Sequence, residues 1–304
     1  MSLTCYSPDC LAEARSPLAN QSLIASHKNS RVIAIASGKG GVGKTNLAVN
    51  LALSLARRGL NVALLDADLG TANVDVVLGI QPRYHLQHVV TGQKTLAEII
   101  VEGPYGLQII PGASGLPDLV DLPDAQREAL LRSLLVLNGR VDVMLIDTGA
   151  GVGRNVVQFV LAAGEALLVT TPEPTAIVDA YALMKVLAGY QLPVAINLVI
   201  NCVRNRPEGD TTVRKLAAVA EQFLGRRVHA LGALPYDPSV LEAVRAQVPF
   251  VQSRPRSPIS QAIQRIGEQL CMIPSETQDS SAIGRFFRYL LSGHFKAMAI
   301  GAGQ

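Results

Sequence analysis

Residues 37–46 read "SGKGGVGKTN", and two lysines stand in this glycine-rich run, Lys39 and Lys44. Gly38, Lys39, Gly40, Gly41, Val42, Gly43, Lys44 and Thr45 satisfy GxxxxGK[ST] between a strand-like apolar run and a helix-period stretch, the setting of a phosphate-binding loop. Glycines let successive backbone N–H groups turn toward one anion, and a helix N-terminus adds partial positive charge. On this pattern Lys44 reaches the β- and γ-phosphates of a nucleotide and Thr45 ligates Mg²⁺. One lysine is enough for the phosphates, so Lys39 needs its own explanation.

Such a loop calls for a metal-side carboxylate from another strand end. Asp147 closes the apolar run "VDVMLID" (141–147) and supplies it, and the following "TGAGVG" (148–153) is flexible enough to track a γ-phosphate. "DADLGTAN" (66–73) brings two more carboxylates. In extended backbone Asp66 and Asp68 project to one side. Asp66 is expected to hold a Mg²⁺-bound water, and Asp68, further out on the loop, to orient the attacking water. That is positioning chemistry, which suits phosphoryl transfer.

These groups must be delivered by a scaffold. Short apolar runs at 31–37, 61–66, 107–111, 141–147, 166–171, 194–201 and 228–235 read as buried strands. Helix-period segments at 44–58, 123–138, 153–163, 175–189 and 211–224 lie between most of them. Continuous apolar strands alternating with helices predict an α/β fold, a mainly parallel sheet covered on both faces. Ligands then sit at the strands' C-terminal ends, where the motifs fall. Residues 31–272 form the predicted nucleotide-binding domain, preceded by a polar segment (1–30) and followed by a linker and C-terminal helix (273–304). "SRPRSP" (253–258) reads as a proline-rich turn.

Composition removes other classes. Aromatics make up 4% and Trp is absent, which argues against a base-stacking platform. No apolar run reaches the ~18 residues of a membrane span, and no export signal is evident. Cys5, Cys10, Cys202 and Cys271 are too scattered for a metal or disulfide framework, which points to free thiols in a reducing cytoplasm.

The formal charge is +3, and Arg285, Arg288 and Lys296, in a stretch from 281 onward without Asp or Glu, account for all of it. In that stretch Ile283, Phe286, Phe287, Leu290 and Leu291 recur at helical spacing on one face. An apolar face opposite Arg and Lys fits a reversible anchor on an anionic membrane surface, or a face packed on the domain's own core.

Together, "KGGVGKT" (39–45), "DADLGTAN" and "IDTGAG" (146–151) resemble the deviant Walker A ATPases of the MinD/ParA class. The resemblance runs from about 31 to 270. It implies a slow Mg²⁺-dependent ATP hydrolase whose early lysine, here Lys39, crosses a homodimer interface to the other subunit's nucleotide. It also implies adenine contacts at Asn201 and at the loop holding Pro235 and Asp237. "DADLGTANVDVVLG" (66–79), "TTPEPTAIVDAYALMK" (170–185) and "LGALPYDPSVLEAVRAQVPF" (231–250) look most like the flagellar-number regulators, the FlhG or FleN branch. Partners implied by that branch are the FlhF GTPase, flagellar switch (C-ring) proteins or a flagellar transcription regulator. The implied location is the cytoplasm, with peripheral attachment to the inner membrane face in the ATP state. "DCLAEAR" (9–15) shares only its first Asp and last Arg with the branch's GTPase-stimulating DQAxxLR segment.

A MinD-type septum-placement ATPase shares the same nucleotide site and a tail. A ParA-type partitioning ATPase is disfavoured because no net positive charge lies outside the tail for nucleic acid. A non-enzymatic scaffold is disfavoured by the intact Lys39, Lys44, Thr45, Asp68 and Asp147.

Overall fold

The computed structural model describes residues 30–68, 70, 73–112, 123–190, 192–273 and 282–292. The stretch 9–15, most of the 1–30 segment, the linker beyond Ile273, and Lys296 lie outside them. The strands are β1 (Arg31–Ser37), β2 (Val62–Ala67), β3 (Val101–Glu102), β4 (Gln108–Ile110), β5 (Val143–Ala150), β6 (Glu165–Thr170), β7 (Ala195–Val203) and β8 (Val228–Pro235). They form one sheet in the order β3-β4-β2-β5-β1-β6-β7-β8. All its pairings are parallel except β3 with β4.

The helices are α1 (Lys44–Arg57), α2 (Val74–Leu78), α3 (Leu86–Val90), α4 (Leu96–Ile99), α5 (Asp124–Leu134), α6 (Arg154–Ala163), α7 (Pro174–Ala188), α8 (Arg206–Leu224), α9 (Ser239–Arg245), α10 (Phe250–Ser253), α11 (Pro258–Met272) and α12 (Ala282–Ser292). β1 shows why two layers of helix are needed. Val32, Ala34 and Ala36 face one core, with α5, α6 and α12, while Ile33 and Ile35 face the other, with α1 and α11. Alternation on a sheet buried on both sides leaves every position apolar, so such a strand reads as a continuous run.

The expected α/β sheet is present, with additions. β3 is two residues of antiparallel edge, too short for any periodicity to register. α11 is a further long helix. Its start lies inside the predicted turn "SRPRSP": the Ser257 hydroxyl accepts from the Ser260 N–H, and Pro258 occupies the first helical position. α8 likewise begins at Arg206 rather than 211, capped by Asn205, whose side chain accepts from the Glu208 N–H at 3.0 Å.

At the sheet's far end, opposite the phosphate loop, Arg31 pairs with Glu165 in a buried setting and donates to the Leu270 and Ile273 carbonyls. That ties the C-terminus of α11 to the start of β1.

The expected membrane face is docked. Ile283, Phe286, Phe287, Leu290 and Leu291 are each at most 2% exposed. α12 lies against α5, α6 and β1, and the Phe286 ring stacks on Phe159 of α6 with centroids 6.3 Å apart. The small Val and Ala side chains of β1 leave an apolar strip that α12 fills. Residues 282–292 therefore share the nucleotide domain's core, a correction to the separate tail drawn from the sequence. Among the described residues no helix is long and apolar enough to cross a membrane.

Candidate nucleotide site

The phosphate loop leaves the C-terminal end of β1, the strand lying between β5 and β6. α1 starts at Lys44 with no side-chain cap and no acid in its first turn, so its first N–H groups have no side-chain acceptor. Gly43 has a φ of 87°, and a Cβ there would stand 2.4 Å from Asn201 Nδ2, so both conformation and space demand glycine. Around Gly40 and Gly41 an added Cβ would meet nothing within 4 Å, which leaves an open cradle in front of the uncapped helix. An anion of phosphate size fits that arrangement.

Lys44 and Asp147 are 7% and 1% exposed and form an ion pair at 2.7 Å. The Thr45 hydroxyl lies close enough to Asp147 to favour its ionised form. Burial raises the Asp147 pKa, and Lys44 opposes the rise. Asp66 stands directly beside Asp147, because parallel β2 and β5 pair these residues in register. Its Oδ2 accepts the Asn73 and Val74 N–H groups at 3.1 Å each, and its Oδ1 accepts the Asp68 N–H at 3.2 Å. β2 ends at Ala67, so Asp68 sits in the loop beyond the strand, where its carboxylate accepts the Gly70 N–H at 3.2 Å. Thr45, Asp66 and Asp147 thus converge as hard oxygen donors beside the cradle, a set suited to Mg²⁺ shared with phosphates.

Burial, with the Asp147 carboxylate adjacent, pushes Asp66 up to about 7 against the pull of its backbone donors. The ordinary value is 3.8, so the folded chain holds an extra proton between the two values. Stability is then lost as pH rises through that window, by up to ~1.4 kcal/mol per pH unit. Asp66→Asn is expected to flatten this part of the denaturation-midpoint profile of the protein free of nucleotide and metal. An unchanged slope would assign the pH dependence elsewhere.

Lys39 is partly exposed and held within its own chain, donating to Glu173 Oε1 at 2.8 Å and Thr175 Oγ1 at 2.9 Å. Lys39 and the Thr175 hydroxyl both donate to the Glu173 carboxyl and keep it below its usual range. Asn201 Nδ2 donates to the Val42 carbonyl at 2.8 Å, and its Oδ1 accepts the Cys202 N–H. Its amide therefore braces the phosphate loop from β7. Pro235 ends β8 on the same rim, and Asp237 accepts the Ser239 N–H at 2.9 Å, starting α9.

Three contributors escaped the sequence reading. Glu173 and Thr175 follow the end of β6, where the strand-end rule would have flagged them. Gly112 follows β4, and a Cβ there would lie 2.3 Å from the Asp66 carbonyl oxygen.

A mainly parallel sheet with a glycine-rich loop, its lysine paired to an aspartate of the neighbouring strand, and oxygen donors suited to a divalent ion define a P-loop NTPase. The ParA family model, described as NUBPL iron-transfer P-loop NTPase, matches residues 28–271. The antiactivator FleN of Pseudomonas aeruginosa is 42% identical over 79% of this chain and 86% of its own length. The flagellum site-determining protein YlxH of Helicobacter pylori is 37% identical over 78% and 81%. Among solved structures, the septum site-determining protein MinD of Pyrococcus horikoshii with Mg-ADP is 27% identical with a TM-score of 0.65, covering 79% of this chain and 96% of that one. The chain belongs to the ParA/MinD family of P-loop NTPases.

Proposed function

We propose that the chain is an ATP-driven switch that dimerises around its nucleotide and regulates the number and placement of flagella. The observation that carries the switch is Lys39. It is a second loop lysine at an exposed rim, restrained by a salt bridge that is itself solvent-exposed. Exposed pairs are worth only ~0–1 kcal/mol, so a second copy's nucleotide could draw the ammonium away. The 42% identity to FleN favours the flagellar role over the septal one, for which the relatives named MinD are 31–34% identical.

In this reading Lys44 turns from Asp147 to the β- and γ-phosphates, and the 40–45 backbone cradles them. Thr45, Asp66 and Asp147 hold Mg²⁺, which when bound neutralises phosphate charge. Asp68 orients the attacking water, and Asn201, Pro235 and Asp237 border the base. Hydrolysis is slow and Mg²⁺-dependent, and these groups contribute positioning and electrostatic stabilisation rather than covalent chemistry. In the ATP dimer α12 undocks and lays its apolar face on anionic lipid at the inner surface of the cytoplasmic membrane. Two helices per dimer bind far better than one through effective concentration. Candidate partners are a flagellar transcription regulator, which the name antiactivator favours, the FlhF GTPase and flagellar switch proteins. A solved relative from Aquifex aeolicus, 27% identical, is a MinC:MinD complex, so a partner protein on this fold has a precedent.

Light scattering should find monomer with ADP and dimer with ATP when Asp68→Ala blocks hydrolysis, and Lys39→Ala should remove the dimer. Dimers persisting in the Lys39→Ala protein would overturn the switch. Loss of the gene in its host should change flagella per cell, and an unchanged count with displaced septa would favour the MinD role.

A further inference from the structure

We infer that Arg154 is a second cation acting across the dimer, contacting the phosphates held by the other copy beside the Lys39 contact. The inference rests on the dimerising reading proposed above.

The geometry begins with the run-out of β5. Ala150 pairs with Ser37, and the Gly151 N–H donates to the Ser37 carbonyl at 2.8 Å. The Ser37 hydroxyl in turn donates to the Lys39 carbonyl at 2.9 Å. The loop after β5 is therefore stitched to the residues that carry Lys39. Just before this loop, still within β5, a Cβ on Gly149 would lie 3.7 Å from Asp68 Oδ1, so the end of the strand borders the carboxylate assigned to the water. Beyond these stitches the chain turns outward. Val152 is 47% exposed, Gly153 and Arg154 are exposed, and α6 begins at Arg154.

An exposed arginine at this place is chemically specific. It stands at the first position of a helix whose opening turn holds no acid, although the helix dipole favours an anion there. The side chain is long, permanently charged and planar, and its fork of N–H groups matches phosphate oxygens. The subunit's own phosphate site is served by Lys44, buried beside Asp147. α6 starts where β5 runs out, beside the end of β1 from which the loop carrying Lys39 leaves, so Arg154 opens on the rim of the sheet that a second copy reached by Lys39 would face. A guanidinium brought there would stabilise the charge that builds on the transferred phosphoryl group, a role that changes rates by roughly 10³–10⁵ in NTPases that use one.

The test uses the full-length protein. In the Asp68→Ala background with ATP, scattering over a concentration series gives the dimerisation midpoint. Adding Arg154→Ala should raise it about tenfold, and Arg154→Lys should recover part of the loss, because the charge but not the fork returns. The decisive arm mixes two proteins that are each inactive alone. Arg154→Ala keeps Asp68, and Asp68→Ala keeps Arg154, so a mixed dimer contains one complete site and turnover should return. Arg154→Ala turning over like the parent, or a mixture that stays inactive while scattering shows mixed dimers, overturns the assignment. Failure of Asp68→Ala alone to dimerise with ATP removes the dimer reading and this inference together. Dimers that form but ignore Arg154 remove this inference only.

Discussion

Lys44→Ala is expected to weaken ATP binding roughly 10- to 100-fold, whereas Asp68→Ala should bind ATP like the parent and lose turnover. A hydrogen bond to a charged group is worth about 1.5–3 kcal/mol, which sets the range for the lost phosphate contact. Lys44→Ala carries a second cost. It leaves Asp147, 1% exposed, without its ammonium partner. Stranding one member of a buried pair costs about 3–5 kcal/mol, and protonation of Asp147, whose pKa burial already raises, would relieve part of it. Lys44→Ala should therefore melt lower than the parent, and adding Asp147→Asn should restore part of the difference without restoring ATP binding. Asp68 lies in a loop and is only partly buried, so its removal should leave the melting curve nearly unchanged. Calorimetric titration with a non-hydrolysable ATP analogue and thermal melts check both halves. Equal loss of affinity in the two variants would sink the division between holding phosphate and positioning water.

Removal of α12 by ending the chain at Ser280 is expected to destabilise the whole domain, beyond any effect on lipid binding. Each large apolar side chain fully buried contributes about 1.5–3 kcal/mol, so the five on α12 amount to an upper figure on the order of 10 kcal/mol. That is comparable with the entire stability of a typical domain, about 5–15 kcal/mol. The shortened chain should melt far lower, bind ANS and self-associate through the uncovered α5–α6 face. A shortened chain with unchanged melting would mean that α12 adds nothing to the fold.

For the same reason, truncation is a poor test of membrane attachment. Hydrogen exchange answers that question with the chain intact. α12 amides should stay protected in the ADP monomer and lose core protection when ATP and anionic vesicles are both present. Protection unchanged by ATP and vesicles would leave α12 a structural helix.

The phosphate loop was legible because its chemistry is local. Gly43, Lys44 and Thr45 are consecutive, so spacing along the chain records their geometry. The strands were legible because a sheet covered on both faces demands unbroken apolar runs such as that from Val32 to Ala36. Capping signals at Asn205 and Ser257 were in the sequence too, but the prolines around Ser257 read as a turn, and the helix after Asn205 was expected only from 211. A proline that opens a helix and one that only bends the chain share the same φ.

What the sequence determined by itself was the fold class, the anion cradle, and the carboxylates that accompany it. What tertiary structure decided were the pairings between distant residues. Lys39 meets Glu173 across 134 positions, and Asn201 meets the Val42 carbonyl across 159. The amphipathic spacing of α12 states only that one face must leave water; whether lipid or α5 and α6 receives it depends on the space those helices leave over β1. Nor does spacing reveal that Asp66 and Asp147 stand side by side, because the register of two parallel strands is set by packing between them. That register turns two ordinary carboxyls into a buried neighbouring pair, while the pairing of β5 with β1 brings Asp147 within reach of Lys44.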